Sequence, residues 1–190
     1  MESVVAIPPI SSPISRAKKR NRRQRSPSEF IEARTAGIRH AWLGRRQEAI
    51  NGTKLAPYDI PLGLLKRELY MFGQQIIDER MTAELMQFAE RNGARTAGES
   101  ADGLDLYRWL LTAFPEAELP RSEKRRLAHE LQYARRHGVP AEYLVGFLYQ
   151  SGSGADIYAR VADEGHVEDW YRSATRLSLR EARRSRRADA

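Results

Sequence analysis

Residues 62–92 have the sequence LGLLKRELYMFGQQIIDERMTAELMQFAERN and form the longest segment of the chain with helical periodicity. In the first half, apolar side chains recur at steps of three or four residues, which places them along one face of a helix. Further apolar residues widen this stripe toward the broad face of a core helix. The stripe consists of Leu62, Leu65, Leu69, Phe72 and Ile76, and Leu64, Met71 and Ile77 widen it.

The helical register of this segment changes near its midpoint. A polar run at residues 78–80 interrupts the stripe, and the apolar spacing resumes at Met81, Leu85 and Phe88. Thr82 is a candidate cap for a new helical turn. The pattern therefore predicts either one kinked helix or two helices that nearly abut. In both cases this segment is predicted to be the central hydrophobic element of the fold.

A capping signal predicts where the preceding helix begins. Ser26 is placed to cap it, Pro27 suits the first helical position, and Glu29 completes a capping box. The helix is predicted to run to Asn51, with Gly52 as its stop. Its inward side chains are predicted to be Phe30, Ile31, Ile38, Trp42, Leu43 and Ile50.

Further helices are predicted after the central segment. Residues 141–150 are apolar nearly all round and are predicted to be buried. Because the chain has no alternating strand pattern longer than about four residues, the predicted fold is all-α, a single compact domain of about six or seven helices. The later helices are predicted at residues 102–114, 122–137, 141–150 and 155–164, with a last one opening at Glu168 and Asp169.

Three tryptophans lie on the inward stripes of separate predicted helices. They are Trp42, Trp109 and Trp170. A large aromatic side chain on an apolar stripe is typical of a core anchor, so we predict that all three are buried. The alternative is a base-stacking or ligand-binding role, and it applies best to Trp170, which borders the basic C-terminal end.

Charge divides the chain into three parts. The formal net charge is +7, but residues 1–27 carry +6 and residues 172–190 carry +5, which leaves −4 on residues 28–171. The predicted domains are a basic tail at residues 1–27, a helical domain at residues 28–179 and a basic C-terminal end at residues 180–190. Both basic ends have little apolar content, so we expect the first to be disordered and the second to fray.

An acidic body with basic ends predicts that any contact with nucleic acid or another polyanion is made by the ends. Arg suits bidentate phosphate contacts, although a GC-rich genome would also favour Arg codons. The cluster at residues 18–23 is also compatible with a nuclear-import signal or a solvated, solubilising tail. The predicted polyanion-contacting residues are Arg16, Lys18, Lys19, Arg20, Arg22, Arg23, Arg25, Arg180, Arg183, Arg184, Arg186 and Arg187.

Residues 127–148 resemble a helix-turn-helix in packing only. A small residue is followed four places on by a turn glycine, and apolar residues then lock the second helix. The second helix carries no cation and one anion, whereas a reading helix exposes Arg, Lys, Asn or Gln to base edges. We therefore predict a packed helical hairpin rather than a DNA-reading one. The locking residues are Ala134, Gly138, Val139, Leu144 and Phe147.

The sequence carries no recognisable catalytic or metal-binding motif. It has no Cys, which removes disulfides, thiol catalysis and Cys-ligated zinc sites. The four His never show the HExxH spacing and are predicted to lie at the surface or at helix ends. Adjacent acidic pairs, Glu168-Asp169 among them, are predicted to be solvated faces or helix caps. We expect no enzyme activity, metal or cofactor, while a site assembled from unremarkable residues stays an open alternative.

These patterns predict a non-enzymatic helical accessory or adapter subunit of a larger assembly. Its body would dock on protein partners, and its basic ends would contact nucleic acid or another polyanion without sequence specificity. No apolar run approaches the roughly 18 residues that span a membrane, and no secretory signal peptide is expected, so the expected location is cytoplasmic.

The alternative function is that of a bacterial effector delivered into a host cell. The first 25 residues are rich in Ser, Ile and Pro and resemble the loosely defined signals of type III secretion substrates. The cluster at residues 18–23 would then direct import into the host nucleus. An arm for nucleic acid needs these cations, whereas a secretion signal needs residues 1–15.

Overall fold

The computed structural model describes residues 26–56, 59–94, 104–152, 154–163 and 166–171. Within these residues the secondary structure is entirely helical, which confirms the predicted all-α fold. None of the described helices is long and apolar enough to cross a bilayer. The helices are α1 (Pro27–Ile50), α2 (Pro61–Asp78), α3 (Thr82–Arg91), α4 (Leu104–Leu111), α5 (Arg121–Arg136), α6 (Leu144–Gln150) and α7 (Gly154–Ala162), and a 3-10 turn at Ala141–Tyr143 leads into α6.

Helix α1 begins and ends where the sequence predicts. The Glu29 N–H donates to Ser26 Oγ at 3.2 Å, and the Ser26 N–H donates to Glu29 Oε2 at 3.0 Å, which completes the capping box. Asn51 is the C-cap, and Gly52 follows with φ +79°. The prediction that Ile50 faces inward is wrong, since its side chain is 74% exposed. It follows Trp42 by eight residues, which rotates it about 80° from the buried stripe.

The central segment forms two helices, the second of the two predicted alternatives. Helix α2 ends in a Schellman motif, in which the Met81 N–H donates to the Ile76 carbonyl and the Arg80 N–H donates to the Ile77 carbonyl. Arg80 adopts φ +58°, a conformation that normally favours glycine. The prediction of a Thr82 cap is wrong. Met81 is the N-cap and makes no side-chain cap hydrogen bond, because α3 restarts directly after the motif.

The inner face of α2 packs against α4 through a close aromatic contact. Leu65, Leu69, Phe72 and Ile76 are buried as predicted, but Met71 is 38% exposed, so the stripe widens on the other side, toward Tyr70 and Gly73. The Tyr70 and Tyr107 rings stack at 6.2 Å. A Cβ on Gly73 would lie 2.5 Å from Tyr107 Cε1, so only glycine admits this approach of the two helices.

A buried ion pair joins α2 to α5 beneath this contact. Lys66 Nζ lies 2.7 Å from Glu130 Oε2, and the Glu130 side chain is 7% exposed. Arg126 Nε lies 3.7 Å from the other carboxylate oxygen. The Arg126 side chain also packs against Gly154, where a Cβ would lie 2.8 Å from Arg126 Cδ. Charged groups therefore contribute to the junction of α2, α5 and α7. A contribution of this kind cannot be predicted from apolar stripes.

The hairpin of α5 and α6 packs as the helix-turn-helix spacing predicts. Ala134, Val139, Leu144 and Phe147 are buried, and Gly138 makes the turn with φ +62°. The prediction that residues 141–150 are buried all round is wrong. Tyr143 is 63% and Tyr149 is 86% exposed, because α6 lies at the edge of the bundle and buries only one face.

Other inward predictions are confirmed in part. Trp42 and Trp109 are core residues, each 4% exposed, but Trp170 is 38% exposed. Tyr158, also predicted to face inward, is 50% exposed. Residues 1–25 and 172–190 lie outside the described residues, so the predictions of a disordered tail and a fraying end stay predictions.

Candidate functional site

All twelve predicted polyanion-contacting residues lie outside the described residues. Seven fall within residues 1–25 and five within residues 180–190. Their placement relative to one another therefore stays a prediction. The described body contains two further charged clusters that sequence reasoning missed, one at each end of α5.

The first cluster is a cavity of about 300 Å³ where α4, α5 and the chain after α3 meet. Its volume lies at the small end of the range for ligand sites. Four of its seven described lining residues are cations, and none of the seven is a carboxylate. We call it the basic pocket, and its lining residues are Ala94, Arg108, Trp109, Thr112, Arg121, Lys124 and Arg125.

The basic pocket concentrates positive charge where helix geometry opposes it. Arg121, Lys124 and Arg125 lie in the first turns of α5, at the end where the helix dipole is positive and cations are destabilised. Glu123 is the acidic residue of this first turn, and it pairs with Arg126 at 2.5 Å rather than with a cation that lines the pocket. Within the described part of the chain, no carboxylate forms an ion pair with Arg121 or Arg125.

Lys124 is fixed at the wall of the pocket. Its ammonium group donates a hydrogen bond to the Phe114 carbonyl, in the turn that precedes α5. Partial burial lowers the pKa of Lys124, and the nearby charge of Glu116 only partly compensates. The pocket therefore holds a lysine whose position is set by the backbone, beside Arg121 and Arg125, which form no ion pair with a carboxylate among the described residues.

His129 lies one turn after Arg125 on α5 and has no hydrogen-bond partner on either ring nitrogen. Its residue surface is 7% exposed, and its ring meets the Tyr158 ring edge-on at 4.6 Å. Burial lowers the pKa of His129, and the charges of Arg108 and Arg125 lower it further. The prediction that the histidines lie at the surface or at helix ends is wrong here, since His129 is buried in mid-helix.

The second cluster is centred on Glu168 and lies at the C-terminal end of α5. Tyr133 donates to Glu168 Oε1, Arg160 donates to the same oxygen at 2.6 Å, and Trp170 Nε1 donates to Oε2 at 2.8 Å. The Glu168 N–H donates to His137 Nε2 at 3.2 Å. We call Tyr133, His137, Arg160, Glu168 and Trp170 the Glu168 clamp.

The sequence predicts that Glu168 and Asp169 form a solvated face or a helix cap, and the Glu168 clamp shows that Glu168 is not solvated. Glu168 is 6% exposed. Burial alone would raise its pKa, but the hydrogen bonds from Tyr133 and Trp170 and the charge of Arg160 outweigh it, so the pKa is lowered. Burial and the hydrogen bond to Glu168 raise the pKa of Tyr133. The carboxylate is therefore held ionised against a neutral phenol.

His137 takes part in the clamp as a neutral imidazole. Its Nε2 accepts from the Glu168 N–H, while its Nδ1 lies 2.9 Å from the Tyr133 carbonyl oxygen. These two bonds are satisfied together by the tautomer protonated on Nδ1. Both ring nitrogens of His137 are thus engaged within the protein. The imidazole is therefore arranged to hold the chain rather than to exchange a proton with a ligand.

Aromatic rings pack the clamp against α6. The Phe147 ring lies 5.6 Å from the Trp170 ring and 5.1 Å from the Tyr171 ring. Arg136 adds hydrogen bonds to the carbonyls of Arg160, Val161 and Asp163 at the end of α7. Residues 166–171 are therefore attached to α5, α6 and α7 immediately before the basic segment 172–190 begins.

Comparison of the chain with protein-family models, curated proteins and solved structures gives no match. Among the described residues, no group of three or more His, Cys, Asp or Glu side chains is placed to hold a metal ion. The charge distribution and the two clusters are therefore the features of the chain that bear on its function.

Proposed function

We propose that this protein is a helical accessory subunit that docks on a protein partner and contacts nucleic acid through its basic ends. The observation that carries the proposal is the separation of charge, with +6 on residues 1–27, −4 on residues 28–171 and +5 on residues 172–190. An acidic surface repels a polyanion, so the ends are the parts of the chain with the strongest attraction for it.

The Glu168 clamp supports this function by tethering one basic end. Because residues 166–171 are attached to the bundle, the cations that follow start from a defined point on the body. Tethering raises the effective concentration of a binding segment near whatever the body has docked on. Docking by the body and phosphate contacts by the end therefore reinforce each other.

The exposed face of α6 supports a protein partner for the body. Tyr143 and Tyr149 expose their rings beside Glu142, and the helix has no cation. Tyrosine is enriched at protein interfaces. Gln150 at the end of α6 is the only residue of this helix of a type that reads base edges in a DNA groove.

Sequence-independent binding follows from the kind of contact involved. Phosphate contacts position a protein on nucleic acid but carry no sequence information. Each neutralised phosphate releases counterions, so affinity falls steeply as salt rises. Specificity for a particular nucleic acid would come from the docked partner.

Salt-dependent binding by full-length variants tests the proposal. The tail-neutralised variant replaces the twelve predicted cations of residues 16–25 and 180–187 with Gln, and the control replaces two body cations, Arg45→Gln with Lys54→Gln. Fluorescent single- and double-stranded DNA and RNA are titrated at salt concentrations from about 50 to 200 mM. We expect the wild type and the control to lose at least about a hundredfold in affinity over this range.

The tail-neutralised variant is expected to bind weakly at every salt concentration. Weak binding by the wild type at physiological salt would overturn the proposal, and so would equal affinity of the wild type and the tail-neutralised variant. Scrambling residues 1–15 separates the effector alternative. It leaves nucleic-acid binding intact if the cations form an arm, and it abolishes delivery through a type III system if those residues form a secretion signal.

A further inference from the structure

The basic pocket is distinct from the basic ends and belongs to the acidic body. Its cations come from two helices that are joined by the turn at residues 112–120. The negative charge of the body as a whole predicts that all polyanion contacts lie at the ends. The fold nevertheless gathers four cations around one small concave space, and its described lining residues include no carboxylate.

Placing like charges together has a cost, because they repel one another and the N-terminal end of α5 adds its own positive potential. The charge of Glu116 offsets part of this cost at Lys124. An anion bound between Arg121 and Arg125 would offset it at these two arginines. Arg121 and Arg125 are exposed and form no ion pair with a described residue, so they can turn toward a ligand without breaking a contact.

We infer that the basic pocket binds a single phosphate group, held by the guanidinium groups of Arg121 and Arg125 and by the positive field of Arg108 and Lys124. Guanidinium groups match the tetrahedral oxygens of phosphate with paired hydrogen bonds. Lys124 adds a fixed charge, since its ammonium group is anchored to the Phe114 carbonyl. A cavity of about 300 Å³ admits a phosphate with a small substituent but not a folded polymer.

The ligand of the basic pocket is a phosphate group, and two kinds of compound carry such a group. One is a small phosphate compound in solution, and the other is the terminal phosphate of a nucleic-acid strand. The site does not depend on the proposed role of the basic ends, because its cations all lie between residues 108 and 125. The test therefore uses both the wild-type chain and the tail-neutralised variant.

Calorimetric titration with inorganic pyrophosphate tests the site directly. The pocket variant is Arg121→Gln with Arg125→Gln, and its matched control is again Arg45→Gln with Lys54→Gln, which removes the same charge from elsewhere on the body. We expect one pyrophosphate per wild-type chain and affinity at least about tenfold lower in the pocket variant, because hydrogen bonds to charged groups are lost. Circular dichroism checks that both variants fold.

His129 supplies a second readout that nonspecific ion binding elsewhere would not move. Burial lowers the pKa of His129, and the charges of Arg108 and Arg125 lower it further, so an anion bound near these arginines should reverse their part of the shift and raise the pKa. Histidine ring resonances followed by NMR during a pH titration report this change, and His40 on α1 serves as the internal control. The pocket variant should show no pyrophosphate-dependent change at His129.

Oligonucleotides distinguish the two sources. With the tail-neutralised variant, a single-stranded decamer carrying a 5′-phosphate should bind more tightly than the 5′-hydroxyl decamer if strand ends are the source. Equal binding of the two decamers together with tight pyrophosphate binding assigns the site to small phosphate compounds.

Two results would overturn the inference. One is absence of stoichiometric pyrophosphate binding by the wild type, and the other is equal loss of affinity in the pocket variant and its control. Neither result bears on the proposed function, which fails when the tail-neutralised variant retains the affinity of the wild type for nucleic acid or when the wild type binds weakly at physiological salt.

Discussion

The two ends of α5 hold charged groups in opposite ways. At the C-terminal end, the Glu168 carboxylate accepts hydrogen bonds from three side chains, and the Glu168 N–H donates to His137. At the N-terminal end, the basic pocket brings four cations together, and none of its described lining residues is a carboxylate. The difference indicates that the Glu168 clamp stabilises the fold, whereas the basic pocket is where we infer that an anion binds.

The largest effect should come from breaking the clamp. Glu168→Ala leaves Tyr133, Trp170 and Arg160 without their shared acceptor, and hydrogen bonds to a charged group are the strong ones. We expect it to lower the free energy of unfolding by about 3 kcal/mol, measured by urea denaturation. The control is Asp169→Ala at the exposed neighbouring residue, which should change stability little. Equal effects of the two substitutions would show that Glu168 is not the centre of the cluster.

The clamp should also make stability depend on pH. Because the pKa of Glu168 is lowered in the folded protein, its carboxylate contributes stability that is fully present above the unfolded-state pKa of about 4.3 and is lost as the pH falls through the folded-state value. The stability difference between wild type and Glu168→Gln should therefore narrow below that pH. A difference that stays constant from pH 7 to pH 3, measured by urea denaturation, would contradict the assignment.

A smaller effect is expected from Arg136, which joins the C-terminal end of α5 to α7. Arg136→Gln removes hydrogen bonds to three carbonyls at the end of α7 and should lower the free energy of unfolding by about 1 kcal/mol. Hydrogen exchange should show faster opening of α7 than of α2. Arg135→Gln, one residue earlier, is the matched control and should leave α7 protection unchanged.

The smallest effect should be a rise in the free energy of unfolding, opposite in sign to the effects of Glu168→Ala and Arg136→Gln. Without an anion, Arg121→Gln with Arg125→Gln removes unfavourable charge from the first turns of α5 and should raise the free energy of unfolding by about 0.5 kcal/mol. Thermal denaturation in a phosphate-free buffer measures it. Destabilisation instead would mean that these arginines support the fold, as the clamp residues do.

Much of the architecture was predictable because its signals are local. The Ser26 and Glu29 capping box, the stripe through Leu65 and Leu69, and the turn at Gly138 all depend on residues a few positions apart. The fraction of α6 that is exposed to solvent could not be predicted from local signals in the same way. Its composition is apolar on every side, but burial of Tyr143 and Tyr149 would require neighbours that an edge helix lacks.

The candidate sites were less predictable than the fold because they join residues distant in sequence. Glu168 meets Tyr133 across 35 positions, and its neighbour Asp169 suggested an ordinary helix start. The available signal at the basic pocket was the presence of three cations in the first turns of a predicted helix, where they are normally avoided. Their approach to Arg108 depends on how α4 packs on α5.

Periodicity, caps and net charge are properties of neighbouring residues, so the all-α class, most helix limits and the separation of charge between body and ends could be predicted from the chain. The burial of Glu168 among donors and the lining of one cavity by four cations became visible only in the folded protein. Both depend on which helix faces which, and that is set by packing of the whole core rather than by any single stretch of the chain.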